Sequence, residues 1–425
     1  MGFNATWSMA VGGMVGGGIF TVLGVIIALA GSLAWLSFLL GGIIAFCTGY
    51  SYTSLSTKFQ SGGGAFDFLR QAKLADFAGG LSWVLIMGYA LTISVYGYTF
   101  GHYLNAVVGA GSWLPKVAAA TLIVTLVGVN LLGVGQAAWL EIVTVWGKLA
   151  VLLGLAAWGL VKFNPANIAY PEASPNGIPG ALIGAAAIFM AYEGFQLLTY
   201  DYADIRDADR TLPRATLSAI VAVIVIYIMV TLGAASLVGA GQLVAQKEIA
   251  LAAAGQAAFG TAGLVLVSIA AVFSTASAIN ATLFATARLA RRVATDGELP
   301  AFFCHLNARR MPDRSLIVLG LAGAGLAVVG NLSNLVEAAS LVFLFTFVIV
   351  NVAAYREHVQ RLWLPAIGAV LGTMAFIGLV IRLAMTQPLA LVAIGGISAF
   401  AVGGQLVKRS RRRRGIQDTG CDEDS

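Results

Sequence analysis

A chain of 425 residues that is 59% hydrophobic and only 10% charged, with a mean hydropathy of +0.87, cannot be an ordinary soluble globular protein. The net charge of +6 does not indicate nucleic acid either, because its densest part, Lys408 to Arg414, directly follows an apolar window and suits an anchor beside anionic lipid. The three histidines and the scattered Cys47, Cys304 and Cys421 show no metal-ligand, disulfide or catalytic spacing, so no cofactor is expected and a membrane enzyme is disfavoured.

About 20 apolar residues are needed to cross a bilayer, and twelve windows qualify, beginning with 3–30, 33–56, 77–106, 116–134 and 139–161. The first is too long and lacks the basic leader of a cleavable signal, so it reads as a mature span, and a few residues upstream of Met1 are expected. At its centre stands MVGGGIF, with Gly16, Gly17 and Gly18 in a row. The fifth carries Lys148, nine residues after Trp139 and thirteen before Val161. At about 1.5 Å per residue it lies roughly 13 Å or more from either end, too deep for its stem to snorkel easily.

The sixth window, 181–203, contains FMAYEGFQ, where Glu193-Gly194 interrupts the apolar pattern. The remaining windows are 214–238, 262–290, 315–332, 334–354, 364–384 and 387–407. With the N-terminus inside, 20 of the 25 lysines and arginines fall on inner segments, which predicts that both termini are cytoplasmic. Three inner loops, around 56–73, 204–215 and 291–307, are basic and punctuated by Gly or Pro, and read as turns or short surface helices. The outer segment 246–263 has helix-forming residues without enough length to span.

Interrupted helices at corresponding places in two halves point to a transporter built from inverted repeats, with its site at mid-membrane. The expected organisation is a first repeat over 1–162, a second over 179–356, two further spans over 362–407, and a basic then acidic cytoplasmic tail over 408–425. Three glycines offer free N–H groups and close backbone approach, a seat for a carboxylate beside a half-helix N-terminus. They also fit close helix packing through GxxxG spacing, Gly12 with Gly16 or Gly13 with Gly17. Unwinding at Met190 to Gly194 would expose carbonyls to an ammonium group, with Tyr192 or Phe195 as an aromatic lid or as plain packing. An acid such as Glu193 costs about 2.5–3.5 kcal/mol at mid-helix, which implies a role: pairing with a cationic ligand, carrying a proton, or a structural pair.

GGMVGGGIF, FMAYEGFQ followed by RTLPRA, EIALAAAGQAAFG and TDGELPAFF, in that order along nearly the whole chain, resemble motifs of the amino acid–polyamine–organocation permeases. The resemblance implies an all-α polytopic membrane protein of leucine-transporter type, with ten core helices in a 5+5 inverted repeat, helices 1 and 6 unwound, and two C-terminal helices. It implies alternating-access transport of amino acids or related amines across the cell (inner) membrane. The site it implies comprises Val15, Gly16, Gly17, Gly18 and Ile19 with Met190, Ala191, Tyr192, Glu193, Gly194 and Phe195.

Proton-coupled relatives carry a lysine in helix five where sodium-coupled ones hold sodium, and Lys148 in EIVTVWGKLAVLL matches it. It is expected to bridge the carbonyls near Gly13 and the hydroxyls of helix eight, among Ser274, Thr275 and Ser277, or to be a permanently charged structural tie. Departures from the family pattern are Gly17 in place of a Ser or Thr, and Gln196 in place of a Glu. The expected function is proton-coupled amino acid symport. The alternatives are an ion-independent exchanger, a polyamine or cationic amino acid importer, and a non-transporting sensor on the same fold. A channel would need a repeated filter or charge rings, and none is visible.

Overall fold

The computed structural model describes residues 1–72, 75–133, 138–175, 177–388, 391–392 and 395–396. Among them every regular element is helical. Bilayer-embedded backbone must satisfy its own N–H and C=O groups, and a helix does so within one segment. In chain order the helices are α1 (Phe3–Ala30), α2 (Ala34–Phe59), α3 (Gly64–Gln71), α4 (Ala75–Val108), α5 (Leu114–Leu131), α6 (Ala138–Val161) and α7 (Pro165–Ile168). They continue with α8 (Gly177–Ala187), α9 (Ala208–Val238), α10 (Ala240–Ala245), α11 (Ala250–Thr295), α12 (Asp313–Val329), α13 (Leu332–Arg356) and α14 (Trp363–Thr386).

The first eleven apolar windows coincide with these helices. The run Phe3–Phe59 holds 57 residues, about 85 Å as one straight helix and far more than one bilayer core. A 3-10 turn at Gly31–Leu33 divides it, with Gly31 at φ 54° and ψ −127°. The twelfth window, 387–407, lies largely outside the described residues, and the tail 408–425 wholly so. The outer segment forms a short helix over 250–258, set off from the span that follows by the non-helical Phe259 and Gly260. The first basic loop departs from expectation: α3 is no surface helix, since its residues Gly64 to Leu69 are buried.

The sixth span is broken where Glu193-Gly194 falls. α8 is followed by 3-10 segments Phe189–Tyr192 and Phe195–Asp204, bent by 55° from it. Glu193 is extended, and Gly194 sits at φ 126°, a conformation that favours glycine. The first span is different. α1 is continuous through Gly16, Gly17 and Gly18, so the expected unwinding of helix 1 is absent in this conformation. Each of those glycines is packed by a neighbouring helix, which keeps the helical path favourable.

α1 is apolar all round and buried from Met14 to Ile27, as a helix enclosed by others must be. Around it pack α9, α11, α8, α6 and the broken segment. α5, α6 and α14 turn large apolar side chains outward, among them Val124, Trp146 and Met374, the surface that hydrocarbon solvates. Polar ties fix the inner contacts. Asn351 of α13 accepts from Ser51 Oγ at 2.7 Å and donates to Thr48 Oγ1 at 2.9 Å. Arg382, counted from sequence with the outer charges, pairs with Glu337 of α13, which is 1% exposed, at 3.1 Å.

Candidate functional site

The broken segment and α1 meet backbone to backbone. A methyl group placed on Gly13 would lie 2.9 Å from Gly194 Cα, and one on Gly194 would lie 2.7 Å from Gly13 Cα. No side chain fits between them. The glycine run makes three more such contacts, one per residue. A Cβ on Gly16 would come within 2.6 Å of Ala278 Cβ in α11, one on Gly17 would fall into the ring of Tyr96 in α4, and one on Gly18 would stand 2.7 Å from Ala191 O. Of the run, Gly18 meets Ala191, whereas Gly194 meets Gly13 and Met14, and each of the three glycines is closed over by a neighbour. In this conformation their seats are filled by the protein itself.

Side chains from three other helices donate to carbonyls of α1 between Gly12 and Val15. Lys148 Nζ of α6, 6% exposed, donates to Gly12 O at 3.1 Å. Ser274 Oγ of α11 donates to Val15 O at 3.1 Å. Tyr227 Oη of α9 lies 2.7 Å from Met14 O and 2.9 Å from Ala191 O, so one phenolic proton is shared between α1 and the broken segment. Gly12, one residue before Gly13, is thus an acceptor for Lys148, while Gly13 makes the contact with Gly194. Thr275 Oγ1 turns back to Ala271 O of its own helix at 2.7 Å, and among the described residues no hydrogen bond joins Ser277 to α1. Of the three expected hydroxyls, Ser274 is the one that reaches α1.

The break frees backbone groups, and polar side chains take them up. Ser340 Oγ of α13 accepts from Met190 N at 3.0 Å and donates to Ala187 O at 2.8 Å. Gln196 Oε1 accepts from Gly194 N at 2.9 Å, while Gln196 Nε2 donates to Glu193 Oε1 at 2.8 Å and to Tyr89 Oη at 3.3 Å. The buried acid therefore has a neutral partner in the residue that departs from the family pattern. Neither aromatic forms a lid here. Tyr192 Oη donates to Phe38 O at 2.6 Å, and Phe195 packs against the rings of Tyr52 and Phe347.

A cavity of about 1150 Å³ opens on the side of the basic loops. Met9, Leu197, Tyr200 and Asp201 are among its lining, whereas residues 15–19 and 190–195 are not. Tyr200 Oη, 3.5 Å from Tyr89 Oη, stands between this vestibule and the Gln196–Glu193 pair. Asp201 lines the vestibule and faces Arg288 at 3.9 Å. Among the described residues no three His, Cys, Asp or Glu side chains gather as metal ligands would.

Sequence reasoning missed Tyr96, Tyr227 and Ser340, which lie in ordinary apolar windows and meet the site only through tertiary packing. Gln196 carried a signal, since a polar residue three positions after a buried acid can fold back onto it. The shared hydroxyl gives a direct prediction. Tyr227→Phe should lower uptake about tenfold at unchanged expression, because two carbonyls lose about 1–3 kcal/mol of hydrogen bonding while the ring still packs. Initial uptake rates in vesicles check it, and a wild-type rate would remove Tyr227 from the site.

A family model described as amino acid permease matches residues 1–401. The inner membrane transport protein YbaT of Escherichia coli is 30% identical, with 95% of each chain covered. An uncharacterized protein of Methanocaldococcus jannaschii is also 30% identical, over 82% of this chain and 80% of its own. The serine/threonine exchanger SteT of Bacillus subtilis is 27% identical, over 69% and 67%.

Proposed function

The chain belongs to the amino acid permease family, and is therefore a multi-pass membrane transporter and not an enzyme; on that premise we propose that it is a proton-coupled amino acid symporter of the inner membrane. The substrate backbone is taken up between the glycine run of α1 and the break at residues 190–194, and α1 with the broken segment moves against the surrounding helices in alternating access. Lys148 is the coupling residue. The observation that carries this reading is its buried ammonium, 3.1 Å from Gly12 O, which ties α6 to α1 one turn before the glycines. Protonated, the amine holds α1 in place. Deprotonated, it loses the charge that strengthens that hydrogen bond, and α1 is released. Glu193, at 2% exposure and held by Gln196, is available to a cationic group only once Gln196 lets go, and its acid tilts the substrate towards cationic or polar amino acids.

Purified protein in sealed vesicles tests the driving force. An inward proton gradient should give accumulation of a radiolabelled amino acid chosen by thermal-shift screening, and an equal sodium gradient should not. A potential of 100 mV adds about 2.3 kcal/mol per charge. Strict sodium dependence would end the proton reading. Uptake that needs only amino acid inside the vesicle would instead favour exchange, the activity in the name of the Bacillus subtilis relative. Saturable binding without any flux would leave a sensor.

A further inference from the structure

A second cavity, about 610 Å³, adjoins the vestibule and is lined by Arg288, Arg291, Arg292 and Arg310 against one carboxylate, Asp296. That carboxylate is already engaged: Arg70 of α3 pairs with it, and Arg292 lies 4.0 Å from it. Arg291 and Arg310 are exposed and have no carboxylate within ion-pair distance among the described residues. Two arginines in the last turn of a helix are ordinary, since they favour its negative end. Arg310 is not explained that way. It comes from the turn between α11 and α12 and is held at φ 58°, a left-handed conformation that a non-glycine residue adopts at a cost.

The turn is built to impose that conformation. Asn307 Oδ1 accepts from Arg309 N at 2.9 Å and from Met311 N at 3.0 Å, Asn307 Nδ2 donates to Leu131 O at 2.8 Å, and Arg310 N donates to Asn307 O at 2.8 Å. Arg309 leaves in another direction, with Nη1 on Leu132 O at 2.5 Å. The result is four guanidinium groups from two segments around one hollow, floored by Phe284, Met311 and Pro312.

We propose that this cavity is a binding site for a phosphate group, carried either by an anionic lipid or by a soluble phosphate. Guanidinium groups present paired N–H donors that match phosphate oxygens, and the phosphate's negative charge would offset positive charge that no carboxylate there balances. Arg288 and Arg292 line both cavities, and on the vestibule side they face Asp201 at 3.9 Å and Asp67 at 3.1 Å. A bound phosphate competes with those two aspartates for the same guanidinium groups. Occupancy of the second cavity is thereby linked to the charge arrangement of the vestibule. The site stands on these residues alone and does not depend on which solute the protein carries.

The full-length protein in uncharged detergent provides the test. Its thermal unfolding is titrated with inorganic phosphate and with phosphatidylglycerol in mixed micelles, against sodium chloride at matched ionic strength and phosphatidylcholine. A saturable rise in the midpoint is expected, with an apparent Kd about tenfold weaker in the R291Q/R310Q double variant, as for the loss of charged hydrogen bonds. A response to phosphatidylglycerol alone assigns a lipid headgroup, and a response to both assigns the phosphate itself. A response equal to that of chloride, or an unchanged Kd in the double variant, overturns the site. Should the double variant fail to fold, R291Q on the exposed face of α11 is judged by the same criterion. Asp201→Asn should tighten binding by freeing Arg288, and an unchanged or weaker Kd would remove the link to the vestibule.

Discussion

Replacing Lys148 with alanine is expected to abolish proton-driven accumulation, while exchange of labelled for unlabelled substrate across the membrane persists at a reduced rate. The substitution deletes the donor to Gly12 O in a dry part of the bundle. A buried acceptor left without its charged donor costs about 1–3 kcal/mol, or roughly 5- to 150-fold in the equilibrium it biases. A purely structural tie would lose both accumulation and exchange together. Lys148→Gln separates the two cases, because an amide still donates a hydrogen bond but has no charge to lose. If Lys148→Gln restores accumulation to the wild-type level, the lysine is a tie and carries no coupling. If Lys148→Ala leaves the proton dependence intact, another group is responsible.

Gly194→Ala should be the most damaging single methyl group in the described part of the molecule. Gly194 adopts φ 126°, where an L side chain is strained by about 1–3 kcal/mol, and its Cβ would overlap the backbone of Gly13 as well. Backbone cannot rotate away as the end of a flexible side chain can. Uptake is expected to fall more than about tenfold, with a lower thermal midpoint in detergent. Gly378→Ala in α14 is the matched control: nothing lies within 4 Å of the added methyl, and alanine is favoured over glycine in a helix by up to about 1 kcal/mol. Equal behaviour of the two variants would show that the contact between α1 and the broken segment is dispensable.

The spans were legible because hydrocarbon demands long apolar helices, and the boundaries read from hydropathy fall within a few residues of α1, α2 and α4 to α6. The break at Glu193-Gly194 was legible for the same reason, since an acid beside a glycine interrupts the apolar pattern at that depth. The state of α1 was not. Three glycines permit either an open backbone or tight packing, and the choice is made by Ala278, Tyr96 and Tyr227, which lie from about 80 to 260 residues away and show no local sign of that role. The same holds for Ser340, whose hydroxyl pairs with Met190 only because α13 crosses the break. Gly13 and Gly12 differ by one position, or about 100° around a helix, finer than a spacing argument can resolve. The inverted-repeat boundaries rest on hydropathy and helix placement, and are part of the proposal.

The packing of the three glycines has a further consequence, for water and protons. Tyr96 lies against Gly17 and Tyr227 Oη is hydrogen-bonded beside Gly18, while Val15 to Ile19 show no exposed surface. A file of water needs a continuous polar passage about one molecule wide, and protons leak along such files. With the rings of Tyr96 and Tyr227 closed onto the glycine run, no such passage opens there among the described residues. On the proposed proton coupling, that closure would let a cell keep many copies in its membrane without short-circuiting the gradient.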